Sequence, residues 1–139
     1  FKTQSYPLTV ESLCESEPLL LHTALDIVPQ TIEPGCSFNV SGVVVLKEPG
    51  LSNAGAIVMV TDDGERKTRW GIKSPAIGRR FPEGANSSNA RFKVSGVRCR
   101  IGQGIEFILK QEDGICIPLF RISLQSNVTT NQINREIQT

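Results

Sequence analysis

The chain has 139 residues, of which 39% are hydrophobic and 21% charged, and this size and balance are typical of one globular domain around a single core. No run of about 18 apolar residues could cross a membrane as a helix, and a net charge of +1 argues against binding to nucleic acid. We therefore expect no membrane insertion and no nucleic-acid partner.

Short apolar runs with a period of two recur along the chain and are separated by turn-forming residues. No segment has the pattern of a long amphipathic helix. Strands at this spacing without intervening helices predict an all-β fold, an antiparallel two-sheet β-sandwich. The predicted strands cover residues 36–46, 56–61, 67–72, 90–95, 97–101, 104–110 and 115–124, with a further strand at 19–25.

The C-terminal third contains a compact hairpin signal and then a polar tail. Two turn sequences, 102–104 and 112–114, predict two successive hairpins within residues 97–117. Residues 127–139 are polar and almost without core residues, which is typical of a frayed end or linker. The sequence thus predicts a single domain over residues 1–126, followed by a tail.

The four cysteines are widely spaced and lack the paired spacing of a zinc site, and His22 is the only histidine. We therefore expect no metal and no cofactor. An even number of cysteines favours two disulfides, for which three connectivities exist. We prefer Cys14–Cys36 and Cys99–Cys116, because each pair joins segments near in sequence that a meander would place side by side.

Three N-glycosylation acceptor triplets begin at Asn39, Asn86 and Asn127. An attached glycan cannot be packed in a core, so each of these side chains is expected to face solvent. Together with the cysteines, the triplets favour an extracellular protein, either secreted or part of a cell-surface ectodomain.

Positive charge is concentrated in the middle of the chain, where it could attract an anionic ligand. The alternative is a solvated face that offsets the acidic first third. The cluster consists of Arg66, Lys67, Arg69, Lys73, Arg79 and Arg80.

Residues 28–45 contain a proline-containing lead-in, a Pro-Gly turn and a Val-x-Gly-x-Val-like strand. Residues 69–73 (RWGIK) and then 80–84 (RFPEG) follow in the order of a Trp-Gly motif and a Phe-Pro turn. In this order the motifs resemble a galectin domain. The resemblance implies a galectin-like jelly roll and recognition of glycans or glycoconjugates.

The sugar-binding residues of that family are mostly missing from this chain. No His-x-Asn-x-Arg strand is present, and Lys73 stands at the position of the family's glutamate. Trp70 is the single position that carries over, as a platform on which a sugar ring would stack. Arg69, Lys73 and Arg79 are its neighbours. We therefore expect lactose to bind poorly and a sulphated or sialylated sugar to be favoured.

Catalysis has little support, because no Gly-x-Ser-x-Gly elbow accompanies the single histidine, and Asp62-Asp63-Gly64 reads as a hairpin turn. The first hypothesis is a secreted, non-enzymatic, galectin-like module with an altered glycan site. The second is an adhesion or receptor-ectodomain module that binds a protein partner or a second copy of itself. A third is a structural domain of a larger secreted assembly. Trp70 in a groove would favour the first hypothesis, and Trp70 between the sheets would favour the second.

Overall fold

The computed structural model describes residues 4–47 and 55–124, and this part of the chain forms two antiparallel sheets that pack face to face. The two-sheet β-sandwich expected from the sequence is therefore confirmed. A short helix, α1 (Pro75–Arg80), and a 3₁₀ turn (Ser87–Asn89) lie in the segment between two strands. The strands are β1 (Tyr6–Ser12), β2 (Leu20–Ile27), β3 (Thr31–Ile32), β4 (Ser37–Leu46), β5 (Ala56–Thr61), β6 (Gly64–Lys67), β7 (Arg69–Ile72), β8 (Arg91–Arg98), β9 (Gly104–Lys110) and β10 (Cys116–Leu124).

The order of strands is β3-β1-β10-β9-β5-β6 in the larger sheet and β2-β4-β8-β7 in the smaller one. Alternation of side chains along each strand sends every second residue between the sheets. In β9, for example, Ile105, Phe107 and Leu109 are fully buried. The Phe92 ring of β8 meets the Phe107 ring across the sandwich at 5.9 Å between centroids. The main core is therefore built from the inward faces of both sheets.

Strand β4 is buried on both faces. Val44 and Leu46 belong to the main core, whereas Val43 and Val45 form a second cluster with Ala90 on the outer face of the smaller sheet. Ile77 of α1 and Phe81 pack against this second cluster. The continuous apolar run at 43–46 follows from this double burial, because no position in it faces water.

The predicted strands at 36–46, 56–61, 104–110 and 115–124 are confirmed to within one residue, and the strand at 19–25 is β2. The single strand predicted at 67–72 is two strands in different sheets. Buried Thr68 lies between them, and both its amide and its hydroxyl donate to the Ile57 carbonyl oxygen, at 2.9 and 2.8 Å. The chain crosses from the larger to the smaller sheet at this residue.

The strands predicted at 90–95 and 97–101 are one strand, β8, in which the pairing shifts at a bulge around Gly96, with φ of 65°. Of the two hairpins predicted within 97–117, only the second exists, between β9 and β10. The first is wrong, because residues 99–103 carry the chain from the smaller sheet to the larger one. Strands β1 and β3, and helix α1, were not expected from the sequence.

The Cys99–Cys116 disulfide is wrong, and both cysteines are free thiols. The Cys99 Sγ lies 3.5 Å from the Gln103 carbonyl oxygen, next to the start of β9. Cys116 pairs with Lys110 at the other end of that strand. Six residues of strand span about 20 Å, and a disulfide needs Cα atoms within about 7 Å. Burial also raises the pKa of the Cys99 thiol, which keeps it protonated.

The Cys14–Cys36 disulfide is wrong for the same kind of reason, and these two cysteines are also free. The Cys14 Sγ lies 3.4 Å from the Thr23 Oγ1, and Thr23 pairs with Val44 near the end of β4. Cys36 precedes the first residue of β4, eight positions away from Val44. The separation along the strand is about 26 Å.

The polar tail and the proposed domain boundary at residue 126 lie outside the described residues, so they stay predictions. Within the described ranges, no helix has the length and apolar character needed to cross a membrane.

Replacing Gly42 with alanine should destabilise the sandwich. A Cβ at this position would lie 2.8 Å from the Phe92 ring and against the Ala24 carbonyl oxygen. Both neighbours belong to strands paired with β4 and cannot withdraw cheaply. We expect a loss of about 1–3 kcal/mol in the free energy of unfolding, measured by urea denaturation. Ser37→Ala, at an exposed position of the same strand, is the matched control, and equal midpoints for the two variants would contradict this packing.

Candidate functional site

A cavity of about 560 Å³ opens on the segment that links β7 to β8. Its volume lies in the range of sites that hold small ligands, about 300–1,000 Å³. The walls come from the residue after β7, from α1 and from the 3₁₀ turn. The lining residues are Lys73, Pro75, Gly78, Arg79, Ser88 and Asn89.

Buried Ser74 holds the two walls of the cavity together. Its hydroxyl donates to the Ser87 carbonyl oxygen at 2.7 Å and accepts from the Ala90 amide at 2.9 Å, while its own amide donates to the Ser88 carbonyl oxygen at 2.8 Å. Pro75, with its fixed φ, then opens α1 directly after this anchor. The start of α1 is thus fixed against the 3₁₀ turn.

Gly78 sets the distance between α1 and the 3₁₀ turn. A Cβ at this position would lie 3.2 Å from the Ser88 Cα and 2.5 Å from its Oγ. Only a residue without a side chain allows this approach. As a result Ser88 and Asn89 are close enough to α1 to share one cavity with Arg79.

Two cations, one hydroxyl and one amide thus line the same cavity. Lys73 and Arg79 are exposed, so their charge is available at its mouth. Such a set can bind a sulphate or carboxylate through the cations and sugar hydroxyls through hydrogen bonds. The lining residues include no acidic residue, histidine or cysteine. Among the described residues no group of histidine, cysteine and acidic side chains could hold a metal ion.

Trp70 does not line the cavity. It pairs with Phe92, whose side chain is in the main core, and its own ring packs against that core in a half-buried position. The indole Nε1 donates to the Ala90 carbonyl oxygen at 3.2 Å. The structure therefore places Trp70 on the inward face of the smaller sheet, where it does not offer a sugar a free stacking surface.

Arg69 is also separate from the cavity. It lies on the exposed side of β7 and pairs with Lys93 of β8. Of the four expected ligand-binding residues, the structure therefore brings two together, Lys73 and Arg79.

Helix α1 is held on the sheet partly by an aromatic stack outside the cavity. The His22 ring of β2 stacks on the Phe81 ring at 4.5 Å, and the Arg80 guanidinium lies 4.9 Å from the centre of the same ring. Burial, and then the positive charge of Arg80, lower the pKa of His22, against a smaller opposing effect of Asp26. The neutral imidazole is therefore the form that the folded protein favours.

The structure describes two of the three expected glycan acceptors, and one of these two is exposed. Asn39 is exposed, as expected. Asn86 is buried, so the expectation that it faces solvent is wrong: its Nδ2 donates to the Val44 carbonyl oxygen at 2.9 Å and its Oδ1 accepts from the Leu46 amide at 2.7 Å. These bonds fasten the loop to the end of β4. Asn127 lies outside the described residues.

The sequence did not identify the neutral residues of the lining, which are Pro75, Gly78, Ser88 and Asn89. A signal for the helix was present, because a proline follows a serine at positions 74–75, which is typical of a helix start. No local signal pairs this helix with residues ten positions further along the chain. That contact depends on Gly78 and on the buried hydroxyl of Ser74.

Comparison with known proteins adds no assignment to this geometry. No protein-family model matches the chain, no curated protein matches it, and no solved structure matches it.

Acidification should weaken the fold through His22. Its folded-state pKa lies below the ordinary value of about 6.5, so below that pH the unfolded chain binds more protons and stability falls as pH falls. His22→Phe keeps a ring on Phe81 and removes this titration. The difference in unfolding free energy between the variant and the wild type should shift in favour of the variant from about pH 7 to about pH 5. Urea denaturation at both pH values measures it, and a pH-independent difference would contradict the role of this imidazole.

Asn86→Ala should cost about 1–3 kcal/mol of unfolding free energy, because it leaves a buried amide and a buried carbonyl of β4 without partners. Asn39→Ala removes the same side chain from an exposed position and is the matched control. Thermal or urea unfolding of both variants measures the effect. Equal stabilities would show that the loop is held by other contacts.

Proposed function

We propose that this chain is a non-enzymatic recognition domain that binds glycans through an anionic group, sulphate or carboxylate, in the cavity between β7, α1 and the 3₁₀ turn. The observation that carries the proposal is the convergence of Lys73 and Arg79 on one cavity that also offers a hydroxyl and an amide. The motif order that resembles a galectin supports a glycan as the ligand class, on a site altered from that of the family.

The chemistry of the cavity favours a charged sugar over a neutral one. A guanidinium and an ammonium group each form charge-assisted hydrogen bonds with an anion, and such bonds are stronger than neutral ones. Lactose has no charged group, so it would form only hydrogen bonds with the lining residues and no ion pair with Lys73 or Arg79. The difference between the two sugars should therefore come mainly from electrostatics.

The affinity for one anionic group is expected to be modest. Both cations are exposed, and exposed charge pairs contribute about 0–1 kcal/mol each. Trp70, packed on the core, adds no stacking to the bound sugar. Binding should therefore weaken steeply with added salt, because water and ions screen both charges.

The proposal includes an extracellular location. The described cysteines are free and Asn86 is buried, which leaves the exposed acceptor at Asn39 as its structural support.

A second function is favoured by the position of Trp70. Since this ring packs against the core, the domain would fit an adhesion or ectodomain module that recognises a protein or a second copy of itself. In that case the cavity would receive an acidic side chain of the partner rather than a sugar.

Replacing both cations of the cavity should weaken binding of an anionic sugar. We expect a sulphated disaccharide to bind the wild type at low salt, and Lys73→Gln/Arg79→Gln to weaken this binding about tenfold or more, since two charge-assisted contacts are lost. Lactose should show binding no tighter than the millimolar range for either protein. Isothermal titration calorimetry at low and high salt measures both.

Arg121→Gln is the matched control, because it removes one exposed positive charge from β10 in the other sheet. Its affinity for the disaccharide should equal that of the wild type. Tight lactose binding would overturn the altered site. No binding of either sugar by a folded wild-type protein would favour the protein-recognition function.

A further inference from the structure

Three pairs of basic side chains follow one another beside strands β7 and β8, and they come from β6, β7, α1, β8 and the residue after β7. The first pair is Lys73 and Arg79 at the cavity. The second is Arg69 and Lys93, which are directly opposite each other in the two strands. The third is Arg66 and Arg98, which line another cavity of about 290 Å³ at the far end of β8. All six side chains are exposed, and we call them the basic track.

Register fixes the order and spacing of the three pairs. Because β7 bulges at Gly71, Lys73 lies about three strand positions beyond Arg69 along the sheet, which corresponds to about 10 Å. Lys93 and Arg98 pair with β4 residues four positions apart, which corresponds to about 13 Å along the sheet. The Arg66 guanidinium donates to the Ser95 carbonyl oxygen at 2.6 Å, which holds this member of the third pair beside β8. From Lys73 to Arg98 the track is about 23 Å long.

Without a ligand, the second pair of the track, Arg69 and Lys93, destabilises the folded protein. Like charges directly opposite each other in an antiparallel pair are destabilising, and Arg69 faces Lys93 in this way. The ion pairs found among the described residues are Arg91–Asp26 and Lys110–Glu65, and neither includes a residue of the track. A ligand with negative charge at this point would relieve the repulsion.

Acidic residues partly neutralise the charge of the third pair, Arg66 and Arg98. Asp63 and Glu65 line the same cavity as Arg66 and Arg98, but Glu65 is engaged by the Lys110 ammonium group at 2.7 Å. The charge of this end is therefore still positive, with two guanidinium groups against one carboxylate that has no ion pair.

We propose that the basic track binds a linear sulphated glycan, whose successive anionic groups contact the three basic pairs in turn. This inference rests on the proposed function, since it begins at the same cavity, and it extends that function from one anionic group to a chain. Several weak charge contacts on one ligand add up, because after the first contact the others form at high effective concentration.

A sulphated glycan fits the track better than a nucleic acid does. Proteins that bind single-stranded nucleic acids stack bases on aromatic side chains. The track contains no aromatic residue, and Trp70 of the same strand packs against the core instead. Charge and hydrogen bonding without stacking suit a chain whose recognition elements are sulphates, carboxylates and hydroxyls.

The test compares heparin-derived fragments of two and six sugars by calorimetry with the intact 139-residue chain. The hexasaccharide should bind about tenfold or more tightly than the disaccharide, after correction for the number of equivalent sites. Arg69→Gln/Lys93→Gln should weaken hexasaccharide binding about five- to tenfold and leave disaccharide binding unchanged. Arg121→Gln should change neither, since it lies on the other sheet.

The outcomes separate this inference from the proposed function. Equal affinities for the two fragments, or an unaffected hexasaccharide in Arg69→Gln/Lys93→Gln, would overturn the track and leave the cavity in place. No binding of either fragment would overturn both proposals. A single-stranded oligonucleotide that binds as tightly as the hexasaccharide would overturn the choice of a glycan, and weaker oligonucleotide binding would support it. Circular dichroism confirms that each variant is folded.

Discussion

The structure depends on the burial of β4 on both of its faces. Inward residues of this strand contact the opposite sheet, and outward residues contact the segment between β7 and β8. A strand with two apolar faces in a two-layer sandwich needs a third layer over its outer side, and α1 with Phe81 supplies it. The candidate cavity is a by-product of this cover. It exists because the chain must leave β7, cross the outer face of the sheet and return to β8.

Polar contacts fix the position of the segment that covers the outer face of β4. Apolar contacts are non-directional, so Ile77 and Phe81 could lie on Val43 and Val45 in more than one way. The bonds from Ser74 to the 3₁₀ turn and from Asn86 to β4 remove this freedom, because each satisfies buried backbone groups at fixed geometry. Both ends of the covering segment are thereby fixed. Pro75, Gly78 and Arg79 of the cavity lie between these two anchors, and the remaining lining residues lie within three positions of one anchor or the other.

Regular strands could be predicted from the sequence, and the connections between sheets could not. Strands β4, β5, β9 and β10 have clear apolar patterns, which depend on local alternation and burial. The crossing at Thr68 has no such pattern, since a buried threonine within a basic run looks like any strand residue. The sequence also does not show which sheet a strand belongs to, and this led to both wrong disulfide predictions. Sequence proximity suggested that the paired cysteines were neighbours, whereas strand register places them at opposite ends of long strands.

For the candidate site, too, the sequence shows which charged residues are close along the chain but not which of them meet in the fold. Clustering of positive charge in residues 66–80 is visible in the sequence, but it does not show which charges act together. Register separates Arg69 from Lys73 and joins it to Lys93, a residue outside the cluster. Packing of the two sheets brings Arg66 and Arg98 to one cavity, although they belong to strands of different sheets.

Trp70 shows that residues adjacent in sequence can face opposite sides of a strand. A tryptophan beside cations in sequence suggests a stacking platform, yet alternation along β7 sends its ring inward and Arg69 outward. The indole therefore stabilises the sheet that carries the charges instead of contacting the ligand. Without stacking, recognition at this surface has to come from the number and spacing of charged groups. That favours a long ligand with regularly repeated charge over a compact one, because an exposed cation contributes little alone and much more as one of several.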